Sequence, residues 1–197
     1  MNRKRRAFYF WILLFVVGTA IPLFAAERYT TELGTHALTY TIDWKKPRQA
    51  HVMAQMVLPA EGTKIWAILT DYDHLEKFIP YMEESQVLQR DSRHLLLRQR
   101  GNFWRPFYRL KTKAVLWVKE EPPRSISFRA VEGDFLVYEG SWRLESVKEG
   151  TRLTYEATIE PNFWVPGWVL LELERQVLKG TFRAILRRAT PESSPAA

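Results

Sequence analysis

The chain has no cysteine among its 197 residues. That excludes disulfides, thiol nucleophiles, zinc–thiolate sites and iron–sulfur clusters. Its four histidines, His36, His51, His74 and His94, share no metal-ligand spacing. There is no glycine-rich phosphate loop and no G-x-S-x-G nucleophile turn. No internal repeat is visible. The residues therefore name no catalytic centre, no metal and no cofactor.

A strong charge of one sign is also lacking once the N-terminus is set aside. The full chain carries 29 basic and 22 acidic residues, a net charge of +7. Four of the basic residues are Arg3, Lys4, Arg5 and Arg6, and the first 26 residues contain no acid. The remainder holds 25 basic against 22 acidic residues, a net charge of +3. That is an ordinary balance and argues against a nucleic-acid partner.

Residues 1–26 read as a targeting segment. The basic cluster precedes an unbroken apolar run, Phe8 to Val17, and Ala25 and Ala26 supply small residues at a cleavage point. The alternative is an uncleaved anchor, because Ala7–Ala26 is 20 residues long, enough to cross a bilayer. Either way the expectation is export, to a periplasmic location, with residues 7–26 as the inner-membrane anchor if they are kept.

The rest divides into an N-terminal extension over 27–48, a domain over 49–189 and a disordered tail over 190–197. The extension has one strand-like run, His36–Asp43, followed by a turn at Lys45–Arg48. Gln49–Leu58 alternates as a strand. Glu61–Leu69 and Asp71–Phe78 read as two short helices, the second with Asp73 as its N-cap. Six strand-like runs follow: Glu84–Arg90, His94–Trp104, Phe107–Lys119, Ser125–Val131, Phe135–Val147 and Thr151–Glu160. Their alternation predicts an antiparallel sheet, wet on one side and covered on the other. Pro166–Arg188 has the pattern of a long closing helix, with Leu171, Leu178, Phe182 and Ile185 as its apolar stripe. Gly180 interrupts it, either for close packing or for room beside a ligand.

A curved sheet wrapped around one long helix is an α+β arrangement that leaves space between the two, filled by core or kept as a cavity. Several stretches carry a family likeness. They are Ile65-Trp66-Ala67-Ile68-Leu69-Thr70-Asp71-Tyr72, Phe78-Ile79-Pro80-Tyr81-Met82, Gly133-Asp134-Phe135, Gly140-Ser141-Trp142-Arg143-Leu144 and Gly150-Thr151-Arg152-Leu153. The helix after Val165-Pro166 adds to them. Over about Ala50 to Ala189 the chain resembles the START-like, or SRPBCC, superfamily of polyketide cyclase/dehydrase-like proteins. Within it the chain is most similar to the coenzyme-Q-binding branch. The resemblance implies a helix-grip fold with an internal cavity for sterols, phospholipids, quinones, plant hormones or polyketides. The targeting segment departs from the coenzyme-Q branch, which acts inside cells or mitochondria.

Face assignment then gives candidate cavity-lining residues: Phe78, Leu97, Tyr108, Leu110, Phe128, Tyr138, Trp142, Tyr155, Leu171, Leu178 and Phe182. For each, a plain packed core is the alternative. The loops Phe78–Met82 and Asn162–Trp168 are expected to gate access. Arg109, Lys111 and Lys113 share the opposite strand face, a solvated surface or a point of peripheral membrane contact. The expected function is non-catalytic binding or carriage of a hydrophobic small molecule such as a lipid or quinone. The alternatives are a cyclase/aromatase- or hydrolase-like enzyme using the same cavity, or an envelope interaction domain with a filled core.

Overall fold

The computed structural model describes residues 27–105 and 108–190, without the side chains of Glu27, Arg105 and Tyr108. The targeting segment and residues 191–197 of the expected tail lie outside the described residues. Among the described residues, no helix is long and apolar enough to cross a membrane.

Among the described residues, nine strands form one antiparallel sheet. They are β1 (Glu27–Leu33), β2 (His36–Lys46), β3 (Gln49–Leu58), β4 (Met82–Arg90), β5 (His94–Arg105), β6 (Tyr108–Glu121), β7 (Ser125–Gly133), β8 (Phe135–Val147) and β9 (Gly150–Pro161). The spatial order is β1-β2-β3-β9-β8-β7-β6-β5-β4. Between β3 and β4 lie helix α1 (Gly62–Leu69) and a 3₁₀ helix, Tyr72–Lys77. The chain closes with helix α2 (Gly167–Ala189).

Period-two alternation decides which face is covered. Ala50, Val52, Ala54, Met56 and Leu58 of β3 are buried, as are Leu153, Tyr155, Ala157 and Ile159 of β9. The opposite face carries the charges. Arg143 pairs there with Glu156 at 2.7 Å, and His51 with the same carboxylate at 3.4 Å. Strands β8 and β9 approach closely at Gly140. A Cβ on Gly140 would lie 2.2 Å from the Glu156 carbonyl oxygen, so only glycine allows that approach.

Three details differ from the sequence expectation. Residues 27–33 form a strand, because the Gly34 turn (φ 68°) returns the chain against β2. Pro166 sits just ahead of α2 with an extended ψ of 137°, outside the first turn. Asp73 does not cap the 3₁₀ helix. Its carboxylate accepts a 2.7 Å hydrogen bond from the Val87 N–H of β4, while Asp71 holds His74 at 2.7 Å. Tying the helix to the neighbouring edge strand satisfies a backbone donor that an edge would leave open.

The core lies between sheet and α2. Phe182 and Ile185 of α2 are fully buried, together with Ile65 of α1, Met56 and Leu153. The interior is not filled along the whole helix, and what remains is the candidate site.

Candidate functional site: a cavity under the closing helix

A partly enclosed, mainly apolar cavity of about 280 Å³ lies between the concave sheet face and α2. Its volume is near the lower end of ordinary small-molecule pockets. The strands contribute Leu97, Leu110, Leu116, Ile126, Phe128, Tyr138, Trp142 and Tyr155. Helix α2 contributes Leu170, Leu173, Glu174, Val177, Leu178, Thr181 and Ile185. The loop 78–82 and residues Phe163 and Val165 complete the wall.

The aromatic residues form a connected wall. Trp142 lies 4.5 Å from Tyr155 and 5.7 Å from Phe182 between ring centroids. Phe128 meets Tyr138 edge-on at 5.2 Å, and Phe135 meets Tyr138 at 5.0 Å. Such contacts hold the rings in place and leave the wall rigid.

Eight of the eleven sequence candidates line the cavity: Phe78, Leu97, Leu110, Phe128, Tyr138, Trp142, Tyr155 and Leu178. The side chain of Tyr108 lies outside the described residues. Leu171 and Phe182 do not line the cavity, which corrects the reading of the helix stripe. At 3.6 residues per turn they sit to one side of the row Leu170, Glu174, Val177, Thr181 and Ile185. There Phe182 packs into the core, fully buried, and Leu171 packs against it half-buried.

Glu174 is the lining residue that face assignment overlooked. It occupies the centre of the inward row, four residues from both Leu170 and Leu178, so helical spacing alone would have exposed it. Its side chain is 5% exposed. Burial pushes its carboxyl up to about 7. Among the described residues no cation contributes to that shift.

Two tyrosines face it from the sheet. Burial pushes the Tyr138 hydroxyl up to about 12, partly offset by a hydrogen bond with Tyr155. Tyr155 is raised well above its ordinary value by burial, then by the charges of Tyr138 and Glu174. Glu174 and these two phenols thus share a mainly apolar cavity.

Two polar residues of the β5–β6 lining, Arg100 and Asn102, are already engaged. Arg100 pairs with Glu84 at 3.1 Å, and Asn102 accepts a 2.9 Å hydrogen bond from Arg109. Lys113 is exposed, as are Arg109 and Lys111 on the same strand.

The sequence profile of the polyketide cyclase/dehydrase and lipid transport family matches residues 58–185. The chain belongs to this START-like family. Solved structures place the same helix-grip fold around it. A STAR-related lipid transfer protein from Xanthomonas axonopodis is similar with a TM-score of 0.65 and 14% identity, over 80% of this chain and 96% of that one. The Zhui aromatase/cyclase from Streptomyces gives 0.58 and 16% identity, over 72% and 91%. Human StAR-related lipid transfer protein 5 gives 0.61 and 9% identity, over 82% and 86%. At these identities the likeness is one of fold. No curated protein matches the START-like chain.

Proposed function

We propose that this START-like protein binds and carries a hydrophobic small molecule, a lipid or a quinone among them, in the cavity under α2. The observation that carries this reading is the cavity itself: about 280 Å³ of mainly apolar space where a filled core would otherwise be. Burial of an apolar ligand there gains roughly 25 cal/mol per Å² removed from water. The lipid transfer proteins that share the fold support it. The open space under α2 favours this reading over a filled interaction domain.

The protein acts outside the cytoplasm in this proposal, on the strength of the basic cluster and apolar run of residues 1–26. Exposed residues near the cavity support peripheral membrane contact as part of this proposal. Trp164 and Trp168 are 77% and 68% exposed, and Trp104 and Leu136 are each 61% exposed. Trp164 lies in the loop between the lining residues Phe163 and Val165. Tryptophan at such a rim suits a membrane–water interface. The loops 78–82 and 162–168 form part of the wall and would open for ligand exchange.

One observation favours a second reading, an acid–base enzyme of the cyclase kind. Glu174 titrates near neutral pH beside two phenols, an arrangement general acid–base chemistry can use. Native mass spectrometry with organic extraction, on protein purified from its own host, tests both. A bound apolar molecule of constant mass supports carriage. A bound molecule that changes mass with time, and stops changing in Glu174→Gln, supports the enzyme. Bare protein from every preparation would count against the proposal.

A further inference from the structure

Among the described residues, Glu174 has no partner that explains its burial. It lies in the cavity wall, 5% exposed, and makes no hydrogen bond or ion pair with another described residue. The ionisable groups that line the cavity come from several elements, and Tyr81 of the loop 78–82 packs on the Phe103 ring at 4.9 Å. From the sheet come Tyr138 and Tyr155, whose hydroxyls interact with each other. Arg100 is held by Glu84 at 3.1 Å, and Lys113 is exposed. From the 3₁₀ helix comes Tyr72, beside the ion pair that Arg90 makes with Glu120 at 3.3 Å. On α2 itself, Arg175 lies over the Tyr29 ring at 4.1 Å, on another side of the helix.

A carboxyl group in an apolar space is costly unless something donates to it. An alanine or leucine at this place would continue the apolar wall without that cost. The partner that Glu174 lacks among the described residues is therefore one the ligand can bring.

We infer that Glu174 is the polar anchor of the cavity, and that the ligand is an apolar molecule whose inner end donates a hydrogen bond, a hydroxyl or a protonated amine. This rests on the cavity-binding reading above and narrows it. A carboxylate or phosphate placed against Glu174 would set like charges together in a low-dielectric space, which disfavours both ionised forms. Fatty acids, and phospholipids bound headgroup-inward, are thereby selected against. The Tyr138 and Tyr155 hydroxyls can hold a second oxygen of the same polar end. The cyclase-like reading of Glu174 concerns what it does to a ligand; the anchor concerns which ligand is held.

The test uses the full chain and Nile red, an uncharged dye that reports an apolar cavity. Dodecylamine, dodecanol and dodecanoate are compared as displacing probes at pH 8, where Glu174 is mostly ionised. The amine and the alcohol should displace the dye at concentrations about tenfold or more below dodecanoate. In Glu174→Gln the preference for amine over carboxylate should fall about tenfold, with each probe's displacement measured against that variant's own Nile red affinity. Should that variant fail to fold, the pH series on the native protein decides. Dodecylamine affinity should drop about tenfold from pH 8 to pH 6 as Glu174 takes up a proton, with Nile red affinity constant. Dye bound, but displaced equally well by dodecanoate and dodecylamine, overturns this inference and leaves the cavity reading standing. No binding of the dye or of any dodecyl probe overturns the cavity reading, and this inference with it.

Discussion

Gly180 of α2 lies so close to Pro80 that a Cβ added to it would stand 2.4 Å from the proline Cγ. The glycine makes room for the loop 78–82, whose Phe78, Ile79, Pro80, Tyr81 and Met82 wall the cavity. Of the two explanations for a glycine inside this helix, close packing applies, although against the loop and not the sheet.

Gly180→Ala should therefore lower stability despite better helix propensity. The propensity gain is about 1 kcal/mol. Overpacking against a proline ring costs about 1–3 kcal/mol. Denaturant unfolding should show a net loss of up to about 2 kcal/mol. A midpoint equal to or above that of the native chain would mean that the loop yields freely.

Phe182→Ala should cost about 3–5 kcal/mol, since this fully buried ring packs with Trp142 at 5.7 Å and leaves a void when removed. Phe182→Asp should prevent folding, because the new charge would have no partner. Thermal melting of both variants checks the assignment of this helix face.

Glu174 makes stability pH-dependent with a definite sign. Its folded value of about 7 lies above the ordinary 4.5, so the native state binds the proton more tightly than the unfolded one. Stability should fall as pH rises from about 4.5 to about 7 and level off above that. At 1.36 kcal/mol per pH unit the full effect is roughly 3 kcal/mol for the ligand-free protein. Glu174→Gln should remove this component and be the more stable protein at pH 8. Parallel slopes for the two proteins between pH 4.5 and 7 would show that another group is responsible.

Trp164→Ala should leave the melting temperature almost unchanged, since the side chain is 77% exposed and exposed changes stay within about 0.5 kcal/mol. It should lower binding to anionic vesicles several-fold if this rim meets a membrane. Equal vesicle co-sedimentation for both proteins would count against that contact.

The mature protein should lack residues 1–25 or 1–26. Intact mass of the envelope fraction decides this, and a full-length mass in the membrane pellet would mean an anchor.

Local pattern alone determined much of this molecule. Alternation in β3, β6, β8 and β9 placed charges such as Arg143 and Glu156 on one face and Tyr138, Trp142 and Tyr155 on the other. A one-residue slip would have buried those charges, so burial cost makes the register readable without coordinates. The 3.6-residue period of α2 likewise identified a buried stripe. Only tertiary structure decided how that stripe divides. Leu171 and Phe182 meet the core and Leu170, Glu174 and Val177 meet the cavity, because the sheet curves away from part of the helix. It also decided that Gly180 serves Pro80, a contact between residues a hundred positions apart in the chain. The carboxyl of Glu174 illustrates the boundary between the two. Its place on the inner row was legible from spacing, but its lack of a partner depends on every strand that faces it.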